Sequence, residues 1–115
     1  MANKETIAIT AGRPEHQKGA SLNPPIQITS TYLAGAPVGY GRFGNETWSA
    51  VEDAISQLEN AKHTLIFSSG MAAISAVMNM LPVGAVVTAS NQGYNGVMSV
   101  LGQANESGRL EVRFI

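Results

Sequence analysis

The sequence has no cysteine, little net charge and no long hydrophobic run. Without cysteine, disulfides and thiolate-ligated metal sites are excluded. A formal net charge of −1 does not predict binding to nucleic acid or to an anionic membrane. No apolar run approaches the roughly 20 residues that a helix needs to cross a bilayer. The first six residues lack the apolar core of a signal peptide, which predicts a cytoplasmic protein.

Two further absences narrow the class of ligand. His16 and His63 are isolated from each other in the sequence, so we predict no metal site. There is no Gly-x-Gly-x-x-Gly after a strand and no P-loop sequence, which disfavours dinucleotide binding and P-loop chemistry. What is present is an ordinary globular composition: 115 residues, enough for one domain at most, of which 44% are hydrophobic.

Residues 1–46 contain no long periodic segment and are punctuated throughout by glycine and proline. Such a stretch is either a disordered tail or an ordered arm that packs on another body. Its apolar residues are too numerous for a tail that stays in water: Ile26, Ile28, Tyr32, Leu33, Tyr40 and Phe43. We therefore predict an N-terminal arm over residues 1–46 that contacts a partner subunit, followed by an incomplete α/β domain over residues 47–115.

The second part of the chain alternates helix and strand patterns. Thr47 is predicted to cap an amphipathic helix from Trp48 to about Asn60, whose charges we interpret as a solvated face. Strands and helices then alternate, and are predicted at Thr64–Phe67, Met71–Leu81, Ala85–Ala89, Tyr94–Asn105 and Leu110–Ile115. Because the connections between these elements are short, we predict that the strands pair in parallel through right-handed crossovers. The Met71–Leu81 helix is apolar nearly all round, so we expect it to be buried on more than one side.

A three-stranded parallel sheet would leave long unpaired edges, which is an aggregation hazard for an isolated domain. Either a second chain completes the sheet or this is the front part of a larger enzyme, and we favour the larger enzyme.

The turn at Ser69 and Gly70 is a candidate phosphate site. The first N–H groups of a helix are unpaired, Ser69 adds a hydroxyl, and Gly70 leaves the backbone open. Taken alone, this turn favours the simpler interpretation that a serine caps the helix. Tyr94 follows the next strand, and because the carboxyl ends of parallel strands share one edge, its ring can stack on a flat ligand there.

Tyr40 and Arg42 lie in a glycine-flanked segment of the arm. Arginine provides a planar fork of donors suited to a phosphate, and tyrosine adds a hydroxyl. Together with the turn and the exposed aromatic, these residues predict a site for a phosphorylated planar cofactor, either a nucleotide or pyridoxal phosphate.

At these positions the sequence resembles the N-terminal part of the Cys/Met-metabolism enzymes that depend on pyridoxal phosphate: cystathionine γ-synthase, cystathionine γ-lyase and methionine γ-lyase. The resemblance covers essentially the whole chain and rests on Ala11-Gly12, Pro24-Pro25-Ile26, Ser30-Thr31-Tyr32, Tyr40-Gly41-Arg42, Gly44-Asn45-Glu46-Thr47, Ser69-Gly70-Met71-Ala72-Ala73, and Gly93-Tyr94 with Gly96. It implies the front portion of a fold-type I (aspartate-aminotransferase-like) large domain with a parallel β-α-β-α-β core. It also implies γ-elimination or γ-replacement on a sulfur-containing amino acid, in trans-sulfuration.

The resemblance also assigns residues to the cofactor, pyridoxal 5′-phosphate. Tyr40 and Arg42 would reach the phosphate of the neighbouring subunit in a homo-oligomer, a dimer or a dimer of dimers. Ser69, Gly70 and Met71 would bind the phosphate within their own subunit.

Tyr94 would stack on the pyridine ring as an auxiliary catalytic residue. In the family the Schiff-base lysine lies beyond the end of this chain, and Lys4, Lys18 and Lys62 do not match its position. We therefore expect no catalytic lysine here and no activity from these 115 residues alone. The alternatives are a truncated, non-catalytic fragment that serves dimerisation or complementation, and a small phosphate-binding module.

The sequence departs from the family pattern at several positions. Gly41 stands where serine is usual, Glu46 where proline is usual, and Trp48 where a basic residue is common. Losing the proline leaves the donors of the loop in place, so cofactor binding is still expected. Ser99 stands where some cystathionine γ-synthases carry arginine, which weakens the case for cystathionine as the specific substrate or product.

Overall fold

The computed structural model describes residues 3–115, and residues 1 and 2 of the predicted arm lie outside the described part. Two compact units are present, one ending at Ile66 and the other running from Phe67 to Ile115. The elements, in chain order, are α1 (Lys4–Thr10), α2 (Glu46–Glu59), α3 (Gly70–Met80), β1 (Ala85–Ala89), α4 (Asn95–Glu106) and β2 (Leu110–Phe114). The chain is therefore a mixed α/β structure, whereas the division at residue 46 into arm and domain stays a prediction.

The first unit consists of two helices joined by a long irregular segment. The side chain of Asn3 caps α1 by accepting a hydrogen bond from the Thr6 N–H at 2.9 Å, and α1 packs on α2. Residues 11–45 form no helix or ladder strand, only an isolated antiparallel bridge between Thr31 and Tyr40. Helix α1 was not predicted, because a seven-residue helix has too few turns to give a periodic signal.

Helix α2 begins two residues earlier than predicted, and its cap is Asn45 rather than Thr47. The Asn45 side chain accepts a hydrogen bond from the Thr47 N–H at 2.9 Å. The Thr47 hydroxyl is used differently: it accepts from the Gln27 N–H at 2.7 Å and donates to the Pro25 carbonyl at 3.1 Å. The helix thus starts where the irregular segment is attached to it.

Two acidic side chains of α2 are more than a solvated face, contrary to expectation. The Glu52 carboxylate accepts a hydrogen bond from the Ile66 N–H at 3.1 Å, and the Asp53 carboxylate accepts one from the Gly12 N–H at 3.2 Å. Each carboxylate therefore binds the backbone of a residue that lies outside the helices and strands.

The segment Thr64–Phe67 does not form the predicted first strand, and no strand among residues 3–115 pairs with it. Side chains of α2 form hydrogen bonds with this segment instead. Glu52 accepts from the Ile66 N–H, and the Ser56 and Thr64 hydroxyls lie 2.7 Å apart. A β-prone sequence becomes a strand only when a neighbouring strand offers matching backbone groups.

The second unit contains the parallel sheet. Strands β1 and β2 pair in parallel, with Ala85 opposite Leu110 and Ala89 opposite Phe114. Helix α4 connects them and packs on β2, and Leu101 of α4 and Leu110 are the buried apolar side chains of the described chain. The predicted strand–helix–strand arrangement with parallel pairing is confirmed for these three elements.

Helix α3 is not buried on more than one side within the described chain. It has no buried residue, and Val77 and Met80 are exposed. Val86 of β1 is also 52% exposed, so this strand is not covered on both faces among residues 3–115. Among residues 3–115, helix α4 is the only helix that packs on α3.

Arg109 joins the end of α3 to the start of β2. Its guanidinium donates to the carbonyl oxygens of Leu81 at 2.7 Å and Pro82 at 3.2 Å, and to those of Met78 and Asn79 at 3.4 Å. The last carbonyls of a helix lack the usual donor from the next turn, and Arg109 adds a charged donor to them and to the two carbonyls that follow α3.

Candidate cofactor site

The predicted phosphate turn is a capped helix start. Ser69 has an extended backbone, and its hydroxyl oxygen accepts a hydrogen bond from the Ala72 N–H at 3.1 Å. Because only the oxygen is used in this bond, the hydroxyl hydrogen can still be donated. The N–H groups of Gly70 and Met71 have no partner within the helix. Capping therefore leaves free the donors that a phosphate needs.

Open space lies in front of Gly70. A β-carbon at this position would meet no heavy atom within 4 Å, and both Ser69 and Gly70 are exposed. The helix dipole also places partial positive charge here. The start of α3 is thus exposed to solvent, where an anion can reach it.

Tyr94 and Met71 meet at Gly96. A β-carbon at residue 96 would lie 2.8 Å from Tyr94 Cε1 and 3.1 Å from Met71 Sδ, so both side chains lie against the Gly96 backbone. The structure therefore brings the start of α3 and the loop after β1 together within the second unit. Tyr94 is 70% exposed, which leaves most of its ring surface available for stacking.

Tyr40 and Arg42 lie in the first unit, near the end of the irregular segment. The guanidinium carbon of Arg42 lies 5.7 Å from the centroid of the Tyr40 ring, and the Phe43 ring packs edge-on against Tyr40 at 6.2 Å. The Arg42 side chain is exposed. Stacking on an aromatic face orients a guanidinium and leaves its N–H donors available to an anion.

Gly41 allows two backbone segments to approach each other closely. Its N–H donates to the Ser30 carbonyl at 2.7 Å, and a β-carbon at residue 41 would lie only 2.9 Å from Ser30 Cα. Real β-carbons do not come so near a backbone atom. The glycine that stands where the family pattern has serine is thus required by the local geometry of this chain.

Asn45 is a residue of this region that sequence reasoning did not single out. It is 5% exposed, its Oδ1 accepts from the Thr47 N–H, and its Nδ2 donates to the Gln27 carbonyl at 3.2 Å. Gln27 Oε1 in turn accepts from the Tyr32 hydroxyl at 3.2 Å and the Glu46 N–H at 3.4 Å. The motif that contains Asn45 is recognisable in the sequence. The hydrogen bond from Asn45 to Gln27, 18 residues earlier, is not.

Two cavities lie in the first unit, outside the phosphate turn. One, of about 730 Å³, is lined by Thr10 and residues 13–22. The other, of about 240 Å³, is lined by residues that include Tyr32, Pro37, Val38 and Asn45. Over the described range there is no cluster of three or more acidic or histidine side chains that could bind a metal. None of the helices in that range is long and apolar enough to cross a membrane.

The predicted site residues thus form two groups, one in each unit: Tyr40 and Arg42 in the first, and Ser69, Gly70, Met71 and Tyr94 in the second. The second unit is an α/β fold of the kind in which phosphate-bearing ligands bind at helix starts beside the carboxyl ends of parallel strands. The chain belongs to the family of Cys/Met metabolism PLP-dependent enzymes, whose sequence model matches residues 5–115.

Curated relatives are cystathionine gamma-lyases. The chain is 38% identical over 117 residues to a putative cystathionine gamma-lyase of Streptomyces coelicolor, which covers 94% of this chain and 30% of that protein. It is 31% identical over 116 residues to the cystathionine gamma-lyase of Homo sapiens, covering 96% of this chain and 29% of that protein. The chain therefore spans less than a third of the length of these relatives.

Solved structures agree with the sequence comparison. A cystathione gamma lyase from Micromonospora echinospora superimposes with a TM-score of 0.89 and 26% identity, over 99% of this chain and 31% of that one. A cystathionine gamma synthase from Xanthomonas oryzae, solved with aminoacrylate and cysteine, gives a TM-score of 0.85 and 25% identity, with the same coverage.

Proposed function

We propose that this chain is the N-terminal segment of an enzyme of trans-sulfuration that carries out γ-elimination or γ-replacement on a sulfur-containing amino acid. The family match over residues 5–115 is the observation that carries the proposal. The activity is assigned to the whole enzyme, because this chain spans less than a third of its relatives.

We infer that the chain forms the front portion of a fold-type I large domain with an N-terminal arm over residues 1–46. The parallel pairing of β1 and β2 and the solved relatives support this assignment. Contact of the arm with a partner subunit, in a cytoplasmic homo-oligomer, is supported by its exposed apolar side chains: Ile26, Ile28, Leu33 and Phe43.

The residues present fit pyridoxal 5′-phosphate. The open backbone at Gly70 and the free hydroxyl hydrogen of Ser69 suit a phosphate bound within the subunit. Arg42 and Tyr40 add a cation and a hydroxyl, which the proposal places on the phosphate of the neighbouring subunit. Tyr94 would stack on the pyridine ring. When bound, the cofactor supplies an electron sink for a carbanion at the substrate α-carbon.

Binding without covalent attachment tests the site. Trp48 is the only tryptophan, so quenching of its emission by pyridoxamine 5′-phosphate reports binding, and this amine cannot react with surface lysines. The proposal expects saturable quenching that Arg42→Ala and Tyr94→Ala weaken. The matched control Arg13→Ala, another exposed arginine, leaves it unchanged. Equal losses in all three variants, or no saturable quenching, would contradict the proposal.

Borohydride reduction after incubation with pyridoxal 5′-phosphate tests the missing lysine. We expect slow, partial labelling shared among Lys4, Lys18 and Lys62, which are exposed surface amines. Rapid stoichiometric labelling of one of them would show that the chain carries its own covalent partner for the cofactor.

A further inference from the structure

The loop of residues 40–45, which carries Arg42, is anchored at both ends to the same neighbouring segment. At its start, Tyr40 bridges Thr31 and the Gly41 N–H donates to the Ser30 carbonyl at 2.7 Å. At its end, Asn45 Nδ2 donates to the carbonyl of Gln27. Within the loop the second anchor is a single side-chain amide. Two residues further on, the Thr47 hydroxyl bonds to the same segment, accepting from the Gln27 N–H at 2.7 Å and donating to the Pro25 carbonyl at 3.1 Å.

Asn45 does more than a helix cap requires. A cap needs only a side-chain oxygen, which Asn45 provides to the Thr47 N–H. Its amide nitrogen serves a second purpose, because it reaches the arm backbone at Gln27 while the side chain is 5% exposed. Asn3 gives the comparison within the same unit: it is exposed and caps α1 through its oxygen. Among residues 3–115 its side chain has one hydrogen bond, accepted from the Thr6 N–H.

We propose that Asn45 is a positioning residue for the phosphate clamp formed by Tyr40 and Arg42. The oxygen of the Asn45 side chain fixes the start of α2, and its amide nitrogen fixes the arm segment at Gln27. The loop of residues 40–45 is therefore held in one conformation. The consequence for the phosphate rests on the proposed function, whereas the anchoring of the loop does not.

The substitution Asn45→Asp separates the two roles. Aspartate is as good a cap as asparagine, but it has no N–H to donate and places an oxygen against the Gln27 carbonyl. Asn45→Ser is the second variant, since serine also caps but cannot reach with a donor amide. Asn3→Asp is the matched control, because it makes the same chemical change at a cap without a second anchor.

Hydrogen exchange of the intact chain, resolved by residue, tests the anchoring. In Asn45→Asp and Asn45→Ser we expect the Gly41 and Phe43 amides to exchange at least about fivefold faster, as loss of one buried hydrogen bond implies. Amides in the middle of α2 keep their rates, and Asn3→Asp changes neither set. Unchanged loop rates would overturn the proposal. Equal acceleration of the loop and α2 would also overturn it, since that is the effect of a structural cap alone.

Titration with pyridoxamine 5′-phosphate then tests the consequence. The proposal expects several-fold weaker binding to Asn45→Asp, measured at a temperature at which both proteins are folded. If the wild-type chain binds and the variant binds equally well, Asn45 does not position the clamp. If the loop loosens but the wild-type chain shows no saturable binding, the anchoring stands and the proposed cofactor site fails.

Discussion

The ring of Tyr94 lies so close to Gly96 that a β-carbon there would be 2.8 Å from Tyr94 Cε1. We predict that Gly96→Ala displaces this ring and the nearby Met71 side chain, both of which can rotate, and leaves the fold intact. Binding of pyridoxamine 5′-phosphate should weaken, as measured by Trp48 quenching, while the melting temperature holds or rises.

Gly102 offers the matched control for this change. It lies in the same helix, and a β-carbon there would meet nothing within 4 Å. Gly102→Ala should stabilise the chain by up to about 1 kcal/mol through helix propensity, without a change in binding. Equal effects of the two substitutions on binding would show that the contact with Tyr94 is irrelevant.

Gly41→Ser tests the close approach of the backbone segments at Ser30 and Gly41. The new side chain must displace backbone at Ser30 rather than a flexible side chain, so we expect a loss of about 1–3 kcal/mol in the free energy of unfolding. Urea denaturation measures it. Gly39→Ser is the control, because a β-carbon at Gly39 meets no atom within 4 Å. A neutral Gly41→Ser would disprove the steric account of this departure from the family pattern.

Glu46→Pro should be tolerated. Glu46 is the first residue of α2, and Asn45 already has the extended backbone that the residue before a proline prefers. Among residues 3–115, the Glu46 N–H makes one hydrogen bond, the long one to Gln27 Oε1 at 3.4 Å, and the substitution removes it. We expect the free energy of unfolding to change by less than about 1 kcal/mol.

Proline one turn into the same helix should behave differently. The Ser49 N–H donates to the Asn45 carbonyl at 3.1 Å, so Ser49→Pro removes a helical hydrogen bond and costs about 3 kcal/mol. Thermal melts of the two variants make the comparison. A large loss in Glu46→Pro would mean that α2 does not begin where the structure places it.

Arg109→Ala should destabilise the second unit by about 1–3 kcal/mol, because carbonyls at the end of α3 lose a charged donor. Arg109→Lys should recover only part of this, since a point charge cannot reproduce the guanidinium fork. Arg113→Ala, which removes an exposed ion pair with Glu111, should cost about 1 kcal/mol or less. Similar losses at the two arginines, measured by chemical denaturation, would contradict the role given to Arg109.

The sequence predicted the helices and strands that can be recognised from the pattern of residues within the element itself. The strand at Ala85–Ala89 has the predicted bounds, and the helices after Gly70 and Tyr94 begin within one residue of prediction. Each has its own pattern of apolar residues and a clear turn at its end, so no distant partner was needed to recognise it. The family assignment also came from the order and spacing of short motifs, which the comparisons confirm.

Predictions were wrong where a distant residue decides the outcome. Thr64–Phe67 has a strand sequence, but its free backbone group at Ile66 is taken by Glu52, 14 residues earlier. Thr47 is a good capping residue, but Asn45 takes that place while the Thr47 hydroxyl bonds to the arm.

For the candidate site, the sequence by itself determined which chemical groups are available: a serine and glycine before a helix, an aromatic residue after a strand, and an arginine in the arm. Only the tertiary structure decided how these groups are held. The contacts of Tyr94 with Gly96, Gly41 with Ser30 and Asn45 with Gln27 depend on the relative placement of backbone segments, which local patterns do not encode. Hydrogen bonds and close packing act over a few ångströms in space, whatever the separation along the chain.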